Sequence, residues 1–100
     1  MENNAYKEKV LKINGKEIVI PEVLTFSQIL SCENKGLSVQ GVSEKPFNSA
    51  CIIYCVLVGK TIKEGTRELS EAIDKGELNP VEVLETILPA FSNFFARRSN

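Results

Sequence analysis

Two cysteines lie four residues apart in the apolar segment 50–58, which places both thiols on one face if the segment is helical. As metal ligands, Cys51 and Cys55 would need further partners, and the chain has no histidine, the commonest metal ligand and general base. As a nucleophile, Cys55 would need a neighbouring base and a positive field, and the sequence indicates neither. We therefore predict that Cys51 and Cys55 are core cysteines and that all three cysteines, with Cys32, are reduced. We predict no metal-binding, cofactor-binding or catalytic residue.

A run of carboxylates between residues 64 and 85 is the other group that could do chemistry. Its members are Glu64, Glu68, Glu71, Asp74, Glu77, Glu82 and Glu85. A hydrolase would need two of them as a facing pair, whereas their positions favour the solvated faces of two helices. An acidic patch for a basic partner segment stays open. Since the segment 59–61 (Gly-Lys-Thr) lacks the upstream glycine of a phosphate-binding loop, the chain is not predicted to be an enzyme.

The candidate partner-binding residues are large apolar side chains near the C-terminus. They are Leu84, Leu88, Phe91, Phe94 and Phe95. At this spacing they form one stripe along a helix, and such a stripe usually packs in a core. Phenylalanine is nonetheless abundant here for so small a core, and an exposed apolar patch marks a binding surface, with an amphipathic helix as the expected ligand. Core and binding surface both stay open for the phenylalanines.

The elements that must position these residues begin with a β-hairpin, predicted over residues 9–20. Asn14 and Gly15 tolerate the positive φ angles that a two-residue type I′ turn requires. The resulting register pairs Lys12 with Glu17 on a half-polar face that also carries Val10 and Val19. The opposite face is predicted to be a core face and carries Leu11, Ile13, Ile18 and Ile20. A hairpin alone is only marginally stable, so we expect this one to pack on helices or on another chain.

After the hairpin, helix-capping residues and helix-breaking residues indicate where the next elements begin and end. Thr25 is the predicted N-cap of a first helix, which ends before Gly36. The segment 36–47 is predicted to be a loop because its glycines, serines and proline interrupt any periodicity. The apolar segment 50–58 fits a buried strand or a buried helix. A cap at Asn48 or Ser49 favours a central buried helix.

Two further helices are predicted in the C-terminal part of the chain. The segment 59–65 is predicted to be a linker, after which Thr66 caps a short amphipathic helix that ends at Gly76. Asn79 is the predicted N-cap of the last helix, with Pro80 as its first residue. Proline lacks an N–H group and clashes with the preceding turn, so Pro89 should kink or split this helix near residues 85–89.

Length and composition set the remaining bounds. One hundred residues predict a single domain, disordered over residues 1–8 and helical over residues 25–97. A net charge of −1 argues against a nucleic-acid partner, and the longest apolar run is too short for a membrane helix. Three cysteines without CxxC spacing make a reducing cytoplasm the expected location, and the first residues lack the pattern of a signal peptide. The predicted fold class is α+β, mainly α, with the hairpin packed on a bundle of about four helices.

The order of these elements resembles the tail assembly chaperones of long-tailed bacteriophages and prophages. The resemblance covers residues 10–96. It rests on the segment 12–18 (Lys-Ile-Asn-Gly-Lys-Glu-Ile), on the segment 24–26 (Leu-Thr-Phe) that opens a helix, and on the layout of the helices at 50–58 and 80–96. The segment 36–47 departs from the family pattern.

The resemblance implies a non-enzymatic function in the cytoplasm of the host cell. Such a chaperone binds the tape measure protein and keeps its apolar helical segments soluble during tail assembly, and it requires no cofactor. The tail tube protein is a further candidate partner, and self-association is expected because many copies would cover one long client. The alternative is a small regulatory or adaptor domain of the anti-repressor or antitoxin-like kind, which would bind one folded partner.

Overall fold

A computed structural model describes residues 9–97, and the disorder predicted for residues 1–8 lies outside this range. The predicted hairpin is confirmed as β1 (Lys9–Ile13) and β2 (Lys16–Ile20), paired antiparallel with Lys12 opposite Glu17. Asn14 and Gly15 have φ angles of 54° and 80°, as a type I′ turn requires. The expected core face is also confirmed, because Leu11, Ile13 and Ile20 are buried and Ile18 packs against them.

The hairpin turn is held to the helices by Glu77. One carboxylate oxygen, Oε1, accepts a hydrogen bond from the backbone N–H of Asn14 at 2.6 Å, and Oε2 accepts one from Gly15 at 2.8 Å. Charge-assisted bonds of this kind are stronger than bonds between neutral groups. Glu77 was predicted to lie on a solvated helix face. It is half-exposed but lies in a bend rather than in a helix, and its carboxylate fixes the position of the hairpin turn.

Glu77→Gln is expected to remove a pH-dependent part of the stability. The bond from Gly15, and then that from Asn14, holds the pKa of Glu77 below its usual value of about 4.3. The ionised form therefore stabilises the fold above that value, and this contribution is lost as the pH falls through the lower, folded-state pKa. Thermal melts should show the wild type more stable than E77Q near neutral pH, with the difference shrinking below about pH 4.

The exposed Glu71→Gln is the matched control and should show no such pH-dependent difference. A difference between wild type and E77Q that stays constant down to strongly acidic pH would contradict this role of the carboxylate.

Between the hairpin and residue 97 the structure describes five helices, where about four were predicted. They are α1 (Phe26–Asn34), α2 (Val39–Glu44), α3 (Pro46–Val58), α4 (Ile62–Asp74) and α5 (Pro80–Arg97). The fold class is confirmed as a hairpin packed on a mainly helical bundle. The predicted start of α1 is also confirmed: the Thr25 hydroxyl accepts from the N–H of Gln28, and the Gln28 side chain accepts from the N–H of Thr25.

The loop predicted over residues 36–47 is wrong, because the segment contains α2 and the start of α3. Ser38, which was interpreted as a helix breaker, is the N-cap of α2, and its hydroxyl accepts from the N–H of Gly41 at 2.9 Å. Helix α3 then begins at Pro46, and the predicted caps Asn48 and Ser49 lie inside it. Proline is well suited to a first helical position because its missing N–H has no partner there.

The central helix α3 confirms the choice of helix over strand for residues 50–58. It packs against α1, α2, α4 and α5, and its residues Ile52, Ile53 and Tyr54 are buried. The helix ends at Gly59, whose φ of 70° gives a left-handed cap. The segment 50–58 is apolar on all sides because α3 has neighbouring helices on several sides.

The linker predicted over residues 59–65 is also wrong for its second half. Helix α4 begins at Ile62, and its N-cap is Thr61, whose hydroxyl accepts from the N–H of Glu64 at 3.1 Å. Thr66 lies inside the helix. Gly65, predicted as the last residue of the linker, is a buried helical residue where α4 meets Cys55 of α3.

Helix α5 starts as predicted after Asn79, whose side-chain Oδ1 accepts from the N–H of Val81 at 2.8 Å. The helix does not split at Pro89 and continues to Arg97. Within the described residues, no helix has the length and hydropathy needed to cross a membrane.

Candidate partner-binding surface

Exposed apolar side chains of α1 and α5 form one surface, here called the aromatic surface and defined as Phe26, Leu30, Phe94 and Phe95. Phe26 is 61% exposed, Leu30 is 45% exposed and Phe95 is 39% exposed, while Phe94 is half-buried. The rings of Phe26 and Phe94 stack with centroids 6.2 Å apart, which joins the two helices. Leu30 lies one turn after Phe26 and therefore shares its side of α1.

The rings contact one another in the geometries that aromatic side chains prefer. Phe95 meets Phe94 edge-on with centroids 5.4 Å apart, and it meets Phe91 at 5.2 Å with an interplanar angle of 60°. Such pairs contribute roughly 0.5–1.5 kcal/mol beyond the area they bury. The surface rings are thus held in place from below by a core ring.

Two hydrogen bonds fix the start of α1 on α5 and so position Phe26. The backbone N–H of Leu24 donates to the carbonyl of Ala90 at 2.9 Å, and the Asn93 side-chain amide donates to the carbonyl of Glu22 at 3.1 Å. The Leu24 side chain is also buried. The segment just before α1 is therefore hydrogen-bonded to the middle of α5.

The structure separates the residues that the sequence grouped as a candidate binding stripe. Phe91 is 2% exposed and belongs to the core, whereas Phe94 and Phe95 belong to the aromatic surface. Leu84 and Leu88 are half-buried, and Leu88 packs against the core. The stripe is therefore part core and part surface along its length, and its role in binding stays a prediction.

Phe26 and Leu30 were not among the predicted binding residues, although a signal for them exists. Helix α1 has only nine residues, and it buries Ile29 and Cys32. The apolar side chains at positions 26, 29, 30 and 32 spread over roughly 160° of the helix circumference at 100° per residue. That is wider than the stripe with which a short helix usually faces a core, so some of these side chains should stay exposed. The excess of apolar residues was the available clue.

Cys55 is buried and Cys51 packs against the core, as predicted, and Cys32 is a core residue as well. Cys32 and Cys55 are fully buried and Cys51 is half-buried. Burial raises the pKa of the Cys32 thiol to about 11 and also raises the pKa of the other two thiols. All three therefore stay protonated at neutral pH, in the form that is a poor nucleophile.

Glu68, predicted on a solvated helix face, is a half-buried residue of α4 with two partners that the sequence did not indicate. It accepts a hydrogen bond from the Tyr54 hydroxyl at 3.1 Å and forms an ion pair with Lys60. The Lys60 ammonium holds the pKa of Glu68 below its usual range, while burial and the bond to Glu68 raise the pKa of Tyr54. This neutral hydroxyl thus donates to an ionised carboxylate and links α3 to α4.

The remaining carboxylates of the run lie on exposed or half-exposed helix surfaces, and their role as an acidic patch stays a prediction. Among residues 9–97, no group of three or more histidine, cysteine or acidic side chains is arranged to hold a metal ion.

The chain matches no protein-family model, no curated protein and no solved structure. The resemblance to tail assembly chaperones therefore stays a prediction.

Proposed function

We propose that this chain is a non-enzymatic protein-binding domain whose aromatic surface binds apolar helical segments of a partner. More specifically, we propose a phage tail assembly chaperone that acts in the host cytoplasm and keeps the tape measure protein soluble. The tail tube protein is a further proposed partner. The observation that carries this proposal is the stacking of the exposed Phe26 on the half-buried Phe94, with the exposed Phe95 and Leu30 on the same surface.

The physical support comes from the arrangement of the rings. Large exposed apolar side chains that form one patch mark binding sites, and aromatic residues are enriched among those that contribute most to binding. Phe94 and Phe95 are oriented by ring contacts on an α5 that also holds α1. A partner helix would therefore meet rings that lose little further freedom on binding.

The client fits the chemistry of this surface. Phe26 and Leu30 lie one turn apart on α1, and this spacing matches the i, i+4 repeat of apolar side chains on a partner helix. Recognition through apolar area rather than through specific polar contacts would allow one small protein to bind many similar segments of a long helical client.

The proposal predicts that F26A/F95A loses chaperone activity while it stays folded. Co-expression of the wild type should raise the soluble fraction of the accompanying tape measure protein several-fold, and F26A/F95A should lose most of that gain. The matched control is Phe47→Ala, because Phe47 is a 48% exposed ring at the start of α3, outside the aromatic surface. It should keep the gain.

Circular dichroism melts of the variants separate loss of binding from loss of fold. If the wild type leaves tape measure solubility unchanged while it binds one folded partner in a fixed ratio, the adaptor function is favoured over the chaperone. An equal loss in F47A and F26A/F95A would contradict the assignment of the aromatic surface.

A further inference from the structure

The outer face of the hairpin carries two cross-strand pairs of side chains. Val10 lies opposite Val19, and Lys12 lies opposite Glu17. The valines are 53% and 51% exposed, and the two charged residues are exposed as well. The inner face of the same hairpin is in the core, so this outer face is the side that the described helices leave uncovered.

The two pairs form a patch with an internal symmetry. Side chains two residues apart on a strand share a face and are separated by about 7 Å. One level of the patch is therefore apolar on both strands, while the next level carries a cation on β1 and an anion on β2. If β1 and β2 changed places, a valine would still occupy both positions of the apolar level, while the lysine and the glutamate of the other level would change places.

We propose that this outer face binds the same face of a second copy, about a twofold axis parallel to the strands. Such a rotation lays β1 of one copy over β2 of the other without reversing the strand direction. Lys12 then faces Glu17 of the second copy, and Val10 faces Val19 of the second copy. Each contact occurs twice, as in any isologous interface.

The alternative alignment is electrostatically neutral or unfavourable. A twofold axis in the interface but perpendicular to the strands makes the strands of the second copy run in the opposite direction. If both the valine level and the charged level are then to make contacts, valines of one copy face charged side chains of the other. Only the parallel axis satisfies both levels at once. Face-to-face sheets pack about 10 Å apart, a separation that valine pairs and Lys–Glu pairs both span.

The interface is small and the dimer is accordingly weak and reversible. A stable protein interface buries about 800 Å² on each partner, which is more than the outer face of two five-residue strands supplies. Surface ion pairs are screened by salt, so the dimer should weaken as ionic strength rises. This inference does not rest on the proposed client and can be tested with the purified chain.

Charge reversal tests the proposed pairing. K12E presents two carboxylates on the face and E17K presents two ammonium groups, so each variant should dissociate at concentrations where the wild type dimerises. An equimolar mixture of K12E and E17K should form a heterodimer, because every anion then faces a cation. We expect each homodimer to be weakened about tenfold or more relative to the mixture. Sedimentation velocity measures the association of the wild type, K12E, E17K and the mixture.

Matched controls and a variant without charge changes complete the test. K63E and E85K carry the same net charges but alter exposed residues of α4 and α5, and their mixture should behave like the wild type. V10T/V19T keeps the β-branched shape and should weaken the dimer several-fold. A wild type that stays monomeric at its highest soluble concentration, or a K12E–E17K mixture that associates no more than either variant alone, would overturn the proposal.

Discussion

Phe91→Ala is expected to lower the free energy of unfolding by about 3–5 kcal/mol. Phe91 is 2% exposed, and its ring contacts Phe95 edge-on within the core beneath the aromatic surface. Truncation removes that contact and leaves a cavity that the surrounding helices can fill only in part. Total stabilities of domains are about 5–15 kcal/mol, so the variant should be close to unfolding. Urea denaturation measures the change.

Phe26→Ala is the matched control because it removes the same atoms from a ring that is 61% exposed. Its ring contact with Phe94 is at the surface, so the loss should stay below about 1.5 kcal/mol. If both variants lost the same free energy, Phe91 and Phe26 would not differ as core and surface residues. That outcome would contradict the division of the phenylalanines that the structure makes.

Gly65→Ala is expected to destabilise the fold by about 1–3 kcal/mol, through overpacking. In the middle of an exposed helix the same change stabilises by about 1 kcal/mol, because alanine has the higher helix propensity. Here a β-carbon would overlap the Cys55 sulfur and would lie 3.2 Å from the Cys55 Cβ. The clash should outweigh the propensity gain, since α3 and α4 would have to separate.

A double-mutant cycle tests that reason. Combining G65A with Cys55→Ala removes the sulfur that the new methyl group would overlap, so the double variant should lose less stability than the sum of the two single variants. Ser70→Ala on the exposed side of α4 is the propensity control and should be neutral or slightly stabilising. Additive losses in the cycle would mean that the contact between residues 65 and 55 does not limit the packing.

The sequence predicted correctly those helices and strands whose ends depend on residues close together in the chain. The hairpin register follows from the two-residue turn at Asn14 and Gly15, and the start of α1 follows from Thr25 with its capping partner Gln28. In both cases the residues that determine the geometry are neighbours in sequence.

The errors arose where a residue has a tertiary role. Helix α4 was predicted to start after Thr66, with Gly65 as the last residue of a linker, whereas its N-cap is Thr61. The glycine is helical because α4 comes close to Cys55 there, which only the packing of α3 on α4 reveals. Likewise, Ser38 caps a short helix in a segment whose glycine and proline predicted a loop.

The candidate site shows the same division. The spacing of Phe91, Phe94 and Phe95 predicted a shared helical stripe, but their burial depends on where the start of α1 meets α5. The hydrogen bond from the Leu24 N–H to the Ala90 carbonyl holds the chain there, and these two residues are far apart in sequence. The apolar excess of α1 indicated that some of its side chains stay exposed, but the contact of Phe26 with Phe94 could not be derived from that segment alone.

The most direct test of the central claim measures binding of apolar helical peptides from the tape measure protein by amide chemical-shift perturbation. Binding through the aromatic surface predicts the largest shifts at Phe26, Leu30, Phe94 and Phe95, and it predicts at least tenfold weaker binding to F26A/F95A than to F47A. Binding through the aromatic surface would be contradicted if the peptides left the amide signals of these residues unshifted, or if F26A/F95A and F47A bound the peptides equally well.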